Sequence, residues 1–192
     1  MPKRGMEPIR KAALIDATIA EIGAKGSLDV TVGQIARRAG VSSGLAHHYF
    51  GGKDDILLAA MRHILRVYGQ EVIWRLRQAK TPWERVEAIV EGNFAPSNFS
   101  ADVVSAWLNF YVLALSSPEA RRLHTIYARR LRSNLRHALR RAGGSDRADG
   151  LAERAAQLID GAYLTHGLAP DGPMAEKASR DVLASIRAGM GT

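Results

Sequence analysis

The stretch TVGQIARRAGVSSGLAHHYF, which occupies positions 31 to 50, decides the fold of this chain. Thr31 and Gln34 have the spacing of a capping box, which starts a short helix. Gly40 ends that helix, because glycine adopts the positive φ often needed there without steric cost. Ser42 can cap a second short helix. Two short helices joined by a tight glycine turn are the helix-turn-helix unit.

The outer side of the second helix predicts contact with DNA. Ser42, Ser43, Gly44, His47 and His48 are short or polar, as expected of a helix whose N-terminal end lies in the major groove. Glycine inside a helix costs about 1 kcal/mol relative to alanine, and close approach to another surface would explain Gly44. The alternative interpretation is a plain helical hairpin in some other core.

The overall charge favours a polyanionic partner without locating the surface that binds it. The 192 residues carry a formal net charge of +8 and a pI near 10.2, which suits nucleic acid. The charge is divided evenly, +4 over residues 1–66 and +4 over residues 67–192. The motif, and not the charge, therefore places DNA binding at the N-terminus. A basic lead-in could contact phosphates or be a solvated terminus; it comprises Lys3, Arg4, Arg10 and Lys11.

Composition excludes several kinds of function. There are no cysteines, so disulfides, thiol catalysis and cysteine-metal sites are excluded, and the chain fits the reducing cytoplasm. No stretch approaches 18 uncharged apolar residues and no apolar signal core follows the N-terminus, so neither a membrane span nor a secretory signal is expected. No two of the six histidines are three or four positions apart, so the sequence predicts no helix-borne metal site.

Two short motifs of enzymes occur without their structural setting. Gly40–Gly44 matches the G-x-S-x-G nucleophile elbow, which needs a strand before it, whereas here a helix precedes it. Gly52 and Lys53 resemble the end of a phosphate loop, but the earlier glycine is missing and Asp54 replaces the required Ser or Thr. We therefore expect neither enzyme activity nor a cofactor.

Helical periodicity continues along the chain and predicts an all-α protein of nine helices. The first runs from about Pro8 to Ala24, and the two helices of the helix-turn-helix follow. A helix from Lys53 to Gln78 would span ~39 Å, long enough to connect two domains. We therefore expect a three-helix head at residues 1–52 and a larger bundle at residues 53–192, in which residues 53–78 are the connector.

A set of aromatic residues outside the head could form a box for a cation or fill a core. Trp107 and Tyr111 are four positions apart and so share one helical face. Aromatic faces attract a desolvated quaternary ammonium by cation–π interaction. Taken alone, the pattern favours simple core packing. The candidate ligand-binding rings are Trp74, Trp107, Phe110, Tyr111 and Tyr163.

The motif TVGQIARRAGVSSGLAHHYFGGK, at positions 31 to 53, resembles the signature of the TetR family of bacterial transcriptional repressors, and the nine-helix layout agrees with it. The resemblance implies a homodimer whose N-terminal three helices bind palindromic operator DNA. It also implies a C-terminal bundle that binds a small inducer and forms the dimer through its last two long helices. Inducer binding would then move the connector and change the separation of the two heads on DNA.

The DNA contacts of that family fall on particular positions of this motif. The matching residues are Thr31, Ser43, Gly44, Leu45, His47, His48 and Lys53, and Gln34, Arg37, Ser42 and Tyr49 complete the predicted set. His47 stands where many members carry a tyrosine that touches a phosphate. We therefore predict that an imidazole, of His47 or His48, donates to a phosphate.

Other segments resemble a narrower group, the choline-responsive repressors of the glycine-betaine synthesis operon. They are MPKRGMEPIR, SAWLNFY, RRLRSNL and LIDGAYL, scattered from position 1 to position 164. This resemblance implies repression released by choline, and it makes a cation box as plausible as core packing. Asp160, close to Tyr163 in sequence, is the candidate counter-ion, although it could merely cap or bridge helices.

Three alternatives stay open. A sister repressor, for example of an efflux operon, could answer to another cationic or hydrophobic molecule. An enzyme on a helical bundle would need an acid/base or metal constellation that the sequence lacks. A nonspecific architectural DNA-binder would not distinguish operator from scrambled DNA, whereas a repressor should do so by ~10³ or more.

Overall fold

The computed structural model describes residues 5–143 and 146–191, and within them the chain is helical without a β-strand. Lys3 and Arg4 of the basic lead-in lie outside the described residues. Over the described ranges the nine helices are α1 (Met6–Lys25), α2 (Val32–Arg38), α3 (Ser43–Phe50), α4 (Lys53–Gln78), α5 (Pro82–Asn93), α6 (Ala101–Ser116), α7 (Pro118–Arg141), α8 (Ala148–Gly167) and α9 (Ala175–Met190). The all-α class and the nine-helix layout are confirmed, and α4 has the bounds predicted for the connector. None of these helices is both long and apolar enough to cross a bilayer.

The first helix begins two residues earlier than the sequence suggested. α1 starts at Met6, which places Pro8 in its first turn, where a missing N–H has no helical partner to lose. The helix ends at Lys25, and Gly26 follows in the left-handed region with φ 66° while its N–H donates to the Ile22 carbonyl. Both ends therefore follow the ordinary chemistry of helix termini.

The helix-turn-helix forms as its motif predicts. The Thr31 hydroxyl accepts the Gln34 N–H at 3.2 Å, and the Gln34 side-chain oxygen accepts the Thr31 N–H at 2.8 Å, which closes the capping box of α2. Gly40 has φ 67° in the turn. The Ser42 hydroxyl accepts the Leu45 N–H at 3.2 Å and caps α3. The geometry of the motif is therefore encoded by local contacts.

α1 joins the helix-turn-helix to the rest of the molecule. Leu14 and Ile22 of α1 are fully buried, together with Ile35 of α2, in one hydrophobic core. α1 also packs closely on α6, because a Cβ added to Gly23 would lie 2.3 Å from a carboxylate oxygen of Asp102. The absence of a side chain at Gly23 is what allows this approach.

Two helices of the bundle therefore touch the head. The Asn109 amide of α6 donates to the Gly26 carbonyl at 3.3 Å, just after α1 ends. α4 packs on α1 as well, and its residues Ile56 and Leu57 are buried in the shared core. A movement of either α4 or α6 would therefore displace α1.

The C-terminal bundle is built around an antiparallel pair, α7 and α8. Their direction is clear from two ion pairs, Arg132 with Glu153 at 3.4 Å and Arg136 with Asp149 at 3.1 Å. α7 also packs on α4, α5 and α6, and α9 packs on α5 and α8. This arrangement brings aromatic side chains from α4, α6, α7 and α8 to one place.

Candidate DNA-binding surface and aromatic cage

The predicted DNA-binding residues lie on α2, on α3 and at the start of α4, and none of them is buried. The exposed members are Thr31, Arg37, Ser42, Ser43, Gly44, His47 and His48, and the half-buried members are Gln34, Leu45, Tyr49 and Lys53. Ser43 and His47 are four positions apart and so occupy one face of α3. Because a residue sealed in the core cannot touch DNA, this exposure is what the DNA interpretation requires.

Gly44 is not required by packing inside the chain. A Cβ added there would meet no atom within 4 Å, and Gly44 is not among the glycines with positive φ. Alanine would therefore fit at this position and would favour the helix. The space in front of Gly44 suits close approach by a partner outside the chain.

Three of the predicted DNA-contacting side chains also cap helices within the protein. The side chains of Thr31, Gln34 and Ser42 cap α2 and α3 through the hydrogen bonds given above. Their first role is to hold the two helices, and a contact with DNA would use their remaining hydrogen-bonding capacity. Substituting them would affect both folding and DNA binding.

The two neighbouring histidines face different parts of the head. The ring of His48 lies 5.6 Å from that of Tyr49, and the Lys11 ammonium of α1 lies 5.5 Å from the Tyr49 ring. His47 turns instead toward the end of α3, where its ring Nδ1 donates to the Gly51 carbonyl at 2.8 Å. His48 is therefore on the α1 side, and His47 is on the α4 side.

Aromatic residues of the bundle enclose a small cavity, which we call the cage. Its open volume is about 10 Å³, space for a single water molecule. Five helices, α4 to α8, and the α5–α6 connection contribute to it. The lining residues are Ile64, Leu65, Tyr68, Asn93, Asn98, Trp107, Tyr127 and Tyr163.

The rings around the cage contact one another edge to face. The ring centroids of Trp107 and Tyr127 are 5.1 Å apart, and those of Tyr68 and Tyr127 are 5.3 Å apart. Trp107 also contacts Tyr111 at 5.6 Å. Each of the four rings in the wall, Tyr163 included, is at most 8% exposed. Several desolvated aromatic rings thus converge on one point.

Polar atoms of the wall fall into two groups. The Tyr163 hydroxyl donates to the Asn93 carbonyl at 2.7 Å, and the Tyr127 hydroxyl donates to the Asn93 side-chain oxygen at 3.2 Å. Among residues 5–143 and 146–191, neither the buried Tyr68 hydroxyl nor the buried Asn98 side-chain oxygen has a hydrogen-bond partner. Because buried polar groups normally have partners, these two atoms suit a polar group of a ligand.

An acidic residue, Asp160, lies outside the cage wall and contacts Tyr111. The Tyr111 hydroxyl accepts from Trp107 Nε1 at 2.9 Å and donates to Asp160 Oδ1 at 2.8 Å. Burial raises the pKa of Asp160 above its ordinary value of 3.8, against the Tyr111 hydrogen bond, which lowers it. Burial is also the main cause that raises the pKa of each tyrosine in the wall, and the negative charge of Asp160 adds to it. The Tyr111 hydroxyl therefore links the Asp160 carboxylate to Trp107 in the cage wall.

Sequence relatives agree with this architecture. Residues 82–190 match the C-terminal domain of BetI-type transcriptional repressors, and residues 14–60 match bacterial regulatory proteins of the TetR family. The chain belongs to the TetR family, as a BetI-type repressor. The regulator BetI of Brucella anthropi is 53% identical over 178 residues, 93% of this chain and 92% of that protein. BetI of Agrobacterium fabrum is 51% identical over 168 residues, 88% of this chain and 82% of that protein.

Two solved structures share the fold of this BetI-type repressor. A putative transcriptional regulator from Saccharomonospora viridis, solved in complex with choline, has a TM-score of 0.80 at 23% identity and covers 92% of this chain and 95% of its own. A putative regulator from Pseudomonas aeruginosa PAO1 has a TM-score of 0.74 at 25% identity and covers 95% and 91%. The TetR-like architecture is thus confirmed over most of the chain.

Three of the predicted ligand-binding rings of this repressor do not line the cage: Trp74, Phe110 and Tyr111. Trp74 is 57% exposed, and the Arg75 guanidinium lies 5.9 Å from its ring. Since Val72 faces the core, a residue two positions later is turned by ~200° and faces outward, so Trp74 does not line the cage. Phe110 is 1% exposed but does not line the cavity. It belongs to the core beside the cage.

Sequence reasoning missed six residues of the cage wall: Ile64, Leu65, Tyr68, Asn93, Asn98 and Tyr127. The two tyrosines occupy apolar positions of α4 and α7, so their pattern is that of ordinary core residues. The available signal was the repeated Asn-Phe pair in GNFAPSNF, residues 92–99. Amides beside rings in a short connection indicate buried polar groups that need a structural or functional reason.

Proposed function

We propose that this repressor controls genes that convert choline to glycine betaine, with choline as its inducer. The aromatic cage carries the proposal, because its four rings and a nearby carboxylate suit a quaternary ammonium. The choline-bound regulator with the same fold supports this choice. Such a repressor acts on chromosomal DNA, in the cytoplasm.

Each part of choline has a counterpart in or behind the cage wall. The trimethylammonium group would lie against Trp107, Tyr127 and Tyr163, where a desolvated cation–π contact is worth about 2 kcal/mol. Asp160 supplies the negative charge. The hydroxyl of choline would pair with the Tyr68 hydroxyl or the Asn98 oxygen, which have no hydrogen-bond partner among the described residues.

Choline binding requires the cage to open. A cavity of about 10 Å³ holds one water molecule, so the rings must move apart to admit a larger ligand. Tyr68 belongs to α4 and Trp107 to α6, the two bundle helices that contact α1. A ligand that binds only the open cage shifts the protein toward that state by as much as it prefers it. The displacement of α4 and α6 would then carry the heads out of register with DNA.

The proposed operator contacts come from residues 1–52 and the start of the connector. α3 would enter the major groove with Ser43, Gly44 and His47 toward the bases. Lys53 and the free N–H groups at the start of α4 would hold a phosphate. In a symmetric dimer the two α3 helices would read half-sites ~34–36 Å apart, so a change in their separation lowers the affinity.

The proposed dimer forms through α8 and α9, the last two long helices. α8 has an exposed face that covers an arc of ~120° and contains Leu158, Gly161, Leu164, Thr165 and Leu168. Leu168 is 74% exposed. A Cβ at Gly161 would meet no atom of the chain within 4 Å, which leaves room for a second helix to approach. An exposed apolar stripe of this kind favours an interface between copies.

Calorimetry and gel shift together test the proposed inducer. Choline titrated into the protein should give saturable heat, and it should release the protein from a DNA fragment upstream of choline-oxidation genes. The uncharged isostere 3,3-dimethylbutanol should do neither, because cation–π attraction requires the positive charge. If millimolar choline gives no heat while operator binding is intact, the chain is a repressor with a different inducer.

A further inference from the structure

His47 is held by two hydrogen bonds to one residue at the end of α3. Its carbonyl accepts the Gly51 N–H at 2.7 Å, and its ring Nδ1 lies 2.8 Å from the Gly51 carbonyl oxygen. Gly51 has φ 78°, a conformation that glycine adopts readily. Because a carbonyl oxygen can only accept, Nδ1 must carry the proton.

This contact determines what the rest of the ring can do. In a neutral imidazole one nitrogen donates and the other accepts, so Nε2 of neutral His47 carries a lone pair and no proton. The His47 side chain is exposed, and Nε2 is at the end of the ring away from the helix. A phosphate oxygen is also an acceptor, so neutral His47 cannot form a hydrogen bond with it.

We propose that His47 reads a base: its Nε2 accepts a hydrogen bond from N6 of adenine or N4 of cytosine in the major groove. These exocyclic amino groups are the hydrogen-bond donors that the major groove presents. The inference rests on the proposed function, since α3 must enter the major groove for the contact to form. It replaces the phosphate contact that the family resemblance implied for this position.

The place of His47 on α3 suits base reading. It lies four residues after Ser43 and three after Gly44, so the three residues share one face of the helix. The open space in front of Gly44 allows the backbone of α3 to lie close to the bases. The His47 ring, one helical turn after Ser43 on the same face of α3, would then reach the base edges as well as the DNA backbone.

Charged groups lie on the elements that pack around α3. Within residues 5–143 and 146–191 no ion pair involves His47. A carboxylate oxygen of Asp55 lies 3.1 Å from the position that a Cβ on Gly51 would occupy. Arg38 is paired with Glu21 at 2.6 Å. Two charged residues of α1, Glu7 and Lys11, lie toward His48 and Tyr49. The other charged groups on the elements around α3 are Arg37 and Arg38 of α2 and Lys53, Asp54 and Asp55 of α4.

Nitrogen-15 NMR of the histidine-labelled protein tests the tautomer without DNA. At about pH 8, above the usual titration range of histidine, the His47 signal should show a protonated Nδ1 and a bare Nε2. The spectrum of His47→Gln identifies which signal belongs to this residue. A His47 ring protonated at Nε2 would overturn the proposal.

Operator substitution tests the base contact. Each base pair of a half-site is replaced in turn, and the affinity is measured for the wild type and for His47→Ala. The wild type should prefer adenine or cytosine at one position by about five-fold or more, and His47→Ala should lose the preference at that position alone.

The outcomes separate a base contact from a phosphate contact. His48→Ala is the matched control and should keep the preference. If His47→Ala weakens binding to every sequence by one factor and reduces the salt slope by about one, His47 binds phosphate and this inference alone is overturned. If the wild type does not distinguish operator from scrambled DNA, the proposed function is overturned and this inference with it.

Discussion

The Tyr111 hydroxyl donates to Asp160 Oδ1 at 2.8 Å and so connects α6 to α8 beside the cage. Trp107, which lies in the cage wall, donates to the same hydroxyl at 2.9 Å. The Asp160 carboxylate therefore orients the Trp107 ring through the Tyr111 hydroxyl. It also supplies the negative charge that an aromatic cage lacks, since ring faces offer only a quadrupole.

Asp160→Asn should weaken choline binding about ten-fold or more. The substitution keeps the size and an acceptor for Tyr111 but removes the negative charge, which at an effective dielectric of ~20 is worth about 1–2 kcal/mol to a nearby cation. Calorimetry with choline measures the loss. Tyr111→Phe is the control, because it breaks the hydrogen bond and keeps the charge, and its loss should be smaller. Equal affinities for Asp160→Asn and the wild type would show that Asp160 is not the counter-ion.

Choline affinity should fall as the pH is lowered through the raised pKa of Asp160. Burial favours the neutral acid, and a protonated Asp160 no longer attracts the cation. The effect on folding has the opposite sign. The folded chain holds this proton more tightly than the unfolded chain, so the stability that Asp160 contributes is present below its ordinary pKa of 3.8 and is lost as the pH rises through the raised value. Calorimetry over a pH series downward from neutrality checks the first trend, and Asp160→Asn should abolish it.

Trp107→Leu should remove choline binding, whereas Trp74→Leu should leave it unchanged. Trp107 is 3% exposed in the cage wall, and Trp74 lies on the surface of the same bundle. The first substitution also destabilises the core by about 3 kcal/mol, so thermal unfolding must confirm that the variant is folded before titration. The second should change stability by at most about 0.5 kcal/mol. A loss of binding in Trp74→Leu would place the ligand outside the cage.

The head could be predicted from sequence because its structure is set by neighbours in the chain. Thr31 and Gln34 cap each other across three residues, and Gly40 turns the backbone by itself. The cage is different, because its wall comes from helices far apart in sequence. Periodicity shows that Tyr68 and Tyr127 are buried, but it does not show that they are buried against each other.

The position of Trp74 outside the cage has a related cause. Residue type suggested an aromatic ligand site, but the side of α4 that faces the bundle is set by helical phase, and Trp74 is out of phase with Tyr68 and Val72. The hydrogen bond between Tyr111 and Asp160 likewise joins two residues that are 49 positions apart in the chain. Such a contact is visible only after α6 and α8 have been packed together.

Gly23→Ala should disturb the joint between the head and α6. A Cβ there would lie 2.3 Å from a carboxylate oxygen of Asp102 and 2.8 Å from its Cα. Because the obstacle includes backbone, rotating the Asp102 side chain does not relieve it, and α1 and α6 must separate. We expect a loss of about 1–3 kcal/mol in the free energy of unfolding and weaker coupling between choline and operator binding, measured by gel shift with and without choline.

Gly69→Ala is the matched control for this joint. It makes the same substitution inside α4, where a Cβ would meet nothing within 4 Å. It should stabilise the protein by about 0.5–1 kcal/mol, because alanine favours a helix, and leave the coupling intact. Coupling that is equal in Gly23→Ala and the wild type would show that the signal does not pass through the α1–α6 contact.

Leu164→Glu should prevent formation of the proposed dimer. Leu164 is 51% exposed on the apolar face of α8, and in a symmetric interface one substitution places two carboxylates in the contact. A monomer holds only one half-site, so operator affinity should fall by about 10²-fold or more. Ile73→Glu is the control, since Ile73 is 52% exposed on α4 and outside that face. Analytical ultracentrifugation distinguishes the outcomes: a dimeric Leu164→Glu variant would exclude this face of α8, and a monomeric Ile73→Glu variant would move the interface to the connector.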